Sequence, residues 1–206
     1  MSGVSERLLR PTYFLDYEHP AVVAFVEEST AGAESDVERA SRLFLAVRDR
    51  VRYDPYQADI SREGMTASAT LARGASFCVP KAILLAAGLR AVGVPCRLGF
   101  ADVTNHLATE RLLATLRTHV FAFHGYVELV VAGRTCKVTP AFNRELCDKF
   151  GVAPLEFDGE HDAMLQPFDA SGRAFLEYLK DRGTYDDFPH EEMLRVWRET
   201  YPHFFG

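Results

Sequence analysis

Cys78 and His124 are the two side chains whose types and placement suit nucleophilic chemistry. Gly74 breaks the chain ahead of Cys78. Ser76 can supply cap chemistry, and Pro80 falls in a first helical turn, where its missing N–H costs nothing. Helix formers run from Lys81 to Val92, and Gly93 and Pro95 end the run. Between Ile83 and Val92 only Arg90 is charged, so this helix is apolar nearly all round and must be covered on most sides. Cys78 is thereby expected at the N-terminal end of a buried helix. Unpaired N–H groups and the positive end of the helix dipole there favour a thiolate and can cradle an oxyanion. The competing reading is a small packing residue, as free cysteines often are.

His124 lies in the clearest strand of the chain, Val120 to Val131. Phe121, Phe123, Val127, Leu129 and Val131 share one face by alternation. Ala122, His124, Tyr126 and Glu128 share the other. Ala132-Gly133 is a turn signal, and Arg134 to Ala141 reads as the returning strand. A turn centred there pairs Val131 with Arg134, Leu129 with Cys136, Glu128 with Lys137 and Val127 with Val138, so apolar meets apolar and charge meets opposite charge. Thr139 then falls diagonal to His124. Ala at the first turn position does not suit a type I′ turn, so a longer turn on the same centre is expected.

Other elements must carry this pair. Pro20 to Glu28 reads as a short helix. Ser35 and Glu38 have capping-box spacing ahead of an amphipathic helix over 36–51, and 57–65 reads as an exposed polar loop. Ser68 to Arg73 supplies one or two helical turns, Cys96 to Val103 a strand and Leu107 to Leu116 a helix. From Asn143 onward the pattern loosens. Leu155 to Phe168 is acidic and turn-rich, 173–180 is ambiguous between helix and strand, 182–189 reads as a loop, and His190 to Tyr201 as a helix with Met193, Leu194 and Trp197 facing inward. No repeat or linker divides the 206 residues, so one domain is expected: a core of about 37–143, a helical N-terminal part over 1–36 and an extension over 144–206.

A hydrophobic fraction of 48% with 15 Phe supports a substantial core. The net charge of −6, with acids and bases interspersed, shows no basic stripe for nucleic acid. No apolar run suggests a signal peptide or a membrane span, so a soluble cytoplasmic protein without membrane partners is expected. The four Cys, at 78, 96, 136 and 147, contain no C-x-x-C pair and indicate neither a zinc site nor a disulfide framework. The acidic run at 156–162 lacks the ordered spacing of a calcium loop.

Taken together, Leu71 to Cys78, Lys81 to Leu98, His124-Gly-Tyr-Val-Glu-Leu and Lys137-Val-Thr-Pro-Ala-Phe-Asn143 resemble the transglutaminase-like superfamily, which shares its catalytic layout with papain-type cysteine proteases. The resemblance implies an α+β fold with a central buried helix packed against an antiparallel sheet. It also implies a Cys-His-Asp arrangement, with Cys78 as nucleophile and His124 as base and later acid. The position of the Asp, just ahead of a Pro, is held here by Thr139. A hydroxyl can orient an imidazole but offers imidazolium no negative charge. Asn143 could orient it in the papain manner, or a carboxylate could arrive from elsewhere, Asp102 being the nearest. Tyr56, Asp102, His106, Tyr126 and Asn143 are the remaining candidates for the substrate or oxyanion site.

The expected function is a thiol enzyme acting on an amide or related acyl bond in a peptide or small acyl-amide, by hydrolysis or by transfer to an amine. It needs no cofactor and no metal. The alternatives are a binding module that keeps the fold without efficient chemistry, and an enzyme completed by a partner chain. The sequence does not specify the oligomeric state.

Overall fold

The computed structural model describes residues 6–106, 108–165, 172 and 175–205. The readings made for residues 1–5, Leu107, 166–168 and 173–174 lie outside the described residues. Among the described residues seven α-helices and six strands are named in order, with a 3-10 turn at Pro202–Phe204 after them: α1 Pro20–Thr30, α2 Asp36–Arg50, β1 Arg52–Tyr53, α3 Ala67–Arg73, β2 Ala75–Ser76, α4 Cys78–Ala91, β3 Cys96–Asn105, α5 Glu110–Leu116, β4 Val120–Val131, β5 Arg134–Val138, α6 Arg144–Phe150, β6 Leu176–Tyr185 and α7 His190–Thr200. A four-stranded antiparallel sheet has the order β5-β4-β3-β6, and β1 and β2 form a short parallel pair. The architecture is α+β, with α4 central.

Helix α4 is buried along its length, from Val79 to Arg90. Its apolar side chains pack on α2 and α3 on one side and on β3 and β4 on the other. Burying Ile83, Leu84, Leu85 and Leu89 contributes about 1.5–3 kcal/mol each, which fixes the helix as the hub. The two cationic side chains it carries inward donate to carbonyls, while Arg90 Nε stays buried without a partner among the described residues. Arg90 donates to Arg10 O, Cys96 O and Asp186 O, and Lys81 donates to Arg48 O and Val51 O at the C-terminal end of α2.

The β4–β5 hairpin has the register that the cross-strand pairs predict, with Val127 opposite Val138, Glu128 opposite Lys137, Leu129 opposite Cys136 and Val131 opposite Arg134. The turn is tighter than expected. Ala132 and Gly133 both take positive φ, 49° and 76°, because a two-residue primed turn matches the strand twist. Ala132 bears the strain of a left-handed Cβ. Ala132→Asn should therefore stabilise the protein by about 0.5–1 kcal/mol, read as a raised urea midpoint with an unchanged slope.

Four expectations need correction. Residues 176–185 form edge strand β6, running through part of the stretch read as a loop; its side chains are mostly exposed, so no apolar alternation marks it. Helix α6 appears where the pattern had loosened. Met65 in the supposed polar loop is fully buried. Ser76 does not cap α4, for the reason given below.

Candidate active site

Two devices bring the tip of α4 to the sheet. Pairing of Arg52 with Ala75 and Tyr53 with Ser76 holds the chain extended up to Phe77, which caps α4 without a side-chain bond. Held in β2, the Ser76 hydroxyl is buried without a hydrogen-bond partner and cannot curl back to the helix. The second device is Gly125. A Cβ there would lie 3.0 Å from the Val79 Cα, so only glycine lets β4 cross the first turn of α4 this closely. The residue beside that crossing is His124. Cys78, half-buried, and His124, buried, accordingly line one cavity of about 320 Å³.

Thr139 lies behind the imidazole. Its Oγ1 donates to Gly125 O at 3.1 Å and stands 3.4 Å from His124 Nε2. A hydroxyl has one proton. With that proton on Gly125 O, the oxygen has lone pairs left for His124, which assigns the imidazole N–H to Nε2 and the ring's lone pair to Nδ1.

Burial governs the electrostatics. It pushes the Cys78 thiol up to about 11, against a weaker pull from the backbone N–H groups of Gly125, Val79 and Cys78 and the Lys81 ammonium. His124 is pushed down to about 4 by burial alone, with no carboxylate contributing. The resting pair is thus a neutral thiol beside a neutral imidazole. His124 also makes the fold acid-sensitive. Below its ordinary value of 6.5 the unfolded chain binds a proton that the folded chain refuses until about pH 4. The contribution of His124 is therefore complete above 6.5 and falls by roughly 1.4 kcal/mol per pH unit toward 4. Urea titrations across that window should show the slope, and His124→Phe should flatten it.

The other candidates are placed as follows. Asp102 is not an orienting carboxylate. Its oxygens receive Arg182 Nε and Nη2 at 2.6 and 2.7 Å, and Oδ1 also accepts the Phe123 N–H at 3.1 Å. This braces a β-bulge in which Phe123 takes φ 63° and the pairing steps from Val103–Phe121 to Ala101–His124. The bulge separates two rings that alternation puts on one face: Phe123 enters the main core against Phe100, while Phe121 packs on a second cluster around Val103 and Leu165. Asn143 is not a papain-type orienter either, since its Oδ1 accepts the Tyr53 N–H at 3.0 Å. His106 is exposed, 3.7 Å from Glu177, and neither lines the cavity nor caps α5, whose cap is Thr109. Tyr126 covers Gly99 in the neighbouring strand, beside Lys137 and away from the cavity. Tyr56 lines the cavity and is exposed.

Sequence reasoning passed over Tyr53 and Tyr201. The half-buried Tyr53 lines the same cavity as Cys78, and desolvation holds its phenol well above its ordinary value. Tyr201 accepts the Ala122 N–H at 2.7 Å and donates to Val120 O at 2.9 Å, while Trp197 Nε1 donates to Ala122 O at 3.1 Å. Helix α7 and the residue after it thus pin the segment leading into His124. Met193, Trp197 and Tyr201 recur at four-residue spacing, a signal that would have extended the inward face to Tyr201. Among the described residues no group of three His, Cys, Asp or Glu is placed to hold a metal, and no helix is long and apolar enough to cross a membrane.

A thiol on a helix tip, abutting an antiparallel sheet that carries a histidine, is the layout of papain-type α+β folds. The chain belongs to the transglutaminase-like superfamily, which matches residues 23–140. Among solved structures it is similar to a candidate cysteine protease from Cytophaga hutchinsonii, with 15% identity, a TM-score of 0.51 and coverage of 90% of this chain. It spans 55% of that protein's length. A candidate protease from Parabacteroides distasonis aligns over 65% of this chain and 24% of its own, at 16% identity and a TM-score of 0.41. No curated protein matches the chain.

Proposed function

We propose that the protein is a thiol enzyme that cleaves or transfers an acyl group from an amide. The observation that carries this reading is the shared cavity of Cys78 and His124, and the 3.4 Å approach of Thr139 Oγ1 to His124 Nε2 supports it. Substrate binding delivers the carbonyl to Sγ. The thiol proton passes to His124 Nδ1 as the S–C bond forms, and the imidazolium then protonates the departing amine. The Cys78 N–H and the Tyr53 hydroxyl are the donors for the oxyanion. Tyr201 is unsuited to that task, because its hydroxyl is committed to Val120 O. Water or an amine resolves the thioester.

The test is alkylation by iodoacetamide from roughly pH 6 to 10, mapped by peptide mass, alongside turnover of a panel of peptidyl and acyl amides. Cys78 should react faster than Cys96, Cys136 and Cys147. His124→Ala should slow it at neutral pH and lower turnover by about 10²–10⁴-fold. Equal, sluggish labelling of the wild type and His124→Ala, with no amide turned over, would instead identify a binding module. Turnover that appears only after cell extract is added would mark an enzyme completed by a partner.

A further inference from the structure

The cavity over Cys78 adjoins a second one of about 420 Å³. Tyr53, Pro55, Tyr56, Asn105, Leu112 and Phe142 line both, so the two are neighbouring lobes. The lobes differ in chemistry. The lining of the Cys78 lobe includes no Asp, Glu, Lys or Arg, and its walls include the rings of Phe77, Phe121, Trp197 and Phe204. The second lobe adds Asp54, Arg111 and Lys149. The Asp54 carboxylate is already committed. It accepts the Tyr56 N–H at 3.0 Å and Gln57 Nε2 at 3.1 Å, and stands 3.5 Å from Arg52. The Arg111 guanidinium lies 4.4 Å over the Tyr56 ring, which holds it at the junction of the lobes. In a chain of net charge −6, this lobe is locally positive.

We propose that the substrate is acidic: it presents a bulky apolar side chain to the Cys78 lobe and a carboxylate to Arg111 and Lys149. This inference rests on the reading of Cys78 as nucleophile. An apolar lobe selects weakly among side chains of similar size. A carboxylate placed against Arg111 and Lys149 meets the lobe's excess positive charge and discriminates against neutral and basic analogues, and this local attraction must outweigh the repulsion from the protein's net charge of −6. An acidic residue next to an aromatic one, with the acyl carbon on the aromatic residue, meets both lobes.

Peptide aldehydes test this without any need for turnover. The Cys78 sulfur adds to the aldehyde carbon as the C=O π bond opens, and the thiol proton goes to the new alkoxide, giving a hemithioacetal with no oxidant or leaving group. Acetyl-Asp-Phe-aldehyde and its neutral isostere acetyl-Asn-Phe-aldehyde are compared as protectors of Cys78 against iodoacetamide. The acidic aldehyde should protect at about tenfold lower concentration, and the preference should shrink with added salt. Arg111→Gln/Lys149→Gln changes two exposed side chains and should bring the pair to within about twofold. Equal protection by both aldehydes in the wild type overturns the substrate class and leaves the thiol reading standing. Protection by neither also overturns the substrate class, and the alkylation rate of Cys78 relative to Cys147 then judges the thiol reading separately.

Discussion

Asp102→Ala is expected to cost about 3–5 kcal/mol of stability, seen as a large drop in the urea midpoint. The Asp102 and Arg182 side chains are only 11% and 13% exposed, so removal of the carboxylate strands a mostly buried guanidinium. It also takes the acceptor from the Phe123 N–H, at a residue whose positive φ already carries strain. Adding Arg182→Met removes the stranded charge and should recover much of the stability. It should not recover the path of residues 121–123, because the Phe123 N–H stays unpaired. The two readouts therefore separate. In the double variant the midpoint returns toward wild type, while alkylation of Cys78 keeps an altered pH profile. A double variant restored in both respects would show that the bulge has no part in placing His124.

The legible part of this molecule is the part written in local pattern. Gly74, Pro80 and the unbroken apolar run after Lys81 placed Cys78 on the tip of a buried helix, because helix ends and buried faces leave their mark within a few residues. The hairpin register followed from pairing charge with charge across a short turn. What escaped depends on partners distant in the chain. Arg182 reaches Asp102 across the sheet from an edge strand with little buried surface to advertise it. The Phe123 bulge has no glycine to announce it; its brace is the carboxylate on the neighbouring strand and the tyrosine that follows α7. The papain-type resemblance offers Asn143 as an orienter, but the β1 backbone claims its Oδ1. Asp102 and Asn143 thus position the elements that carry the site rather than its reacting atoms.

Thr139→Val should show whether Cys78 and His124 work together or are only neighbours. Valine fills the same space but leaves Gly125 O without its donor and His124 Nε2 without its acceptor, both buried, at a cost of about 1–3 kcal/mol. The larger effect is on the ring. Once Nε2 has no acceptor, nothing holds the lone pair on Nδ1, and a proton there leaves the thiol without a base. Neutral-pH alkylation of Cys78, and any amide turnover, should fall by about 10²–10⁴-fold. Thr139→Ser keeps both hydrogen bonds and should restore the rates, which a mere packing role for the methyl group would not do. Thr139→Asp should act in the opposite direction on charge. A carboxylate behind the ring favours imidazolium and raises His124 from about 4, which narrows the acid-sensitive window. It also puts negative charge against Gly125 O, so the gain comes with a weaker fold. If valine leaves the alkylation profile unchanged, the hydroxyl orients nothing, and the assignment of the imidazole N–H to Nε2 falls with it.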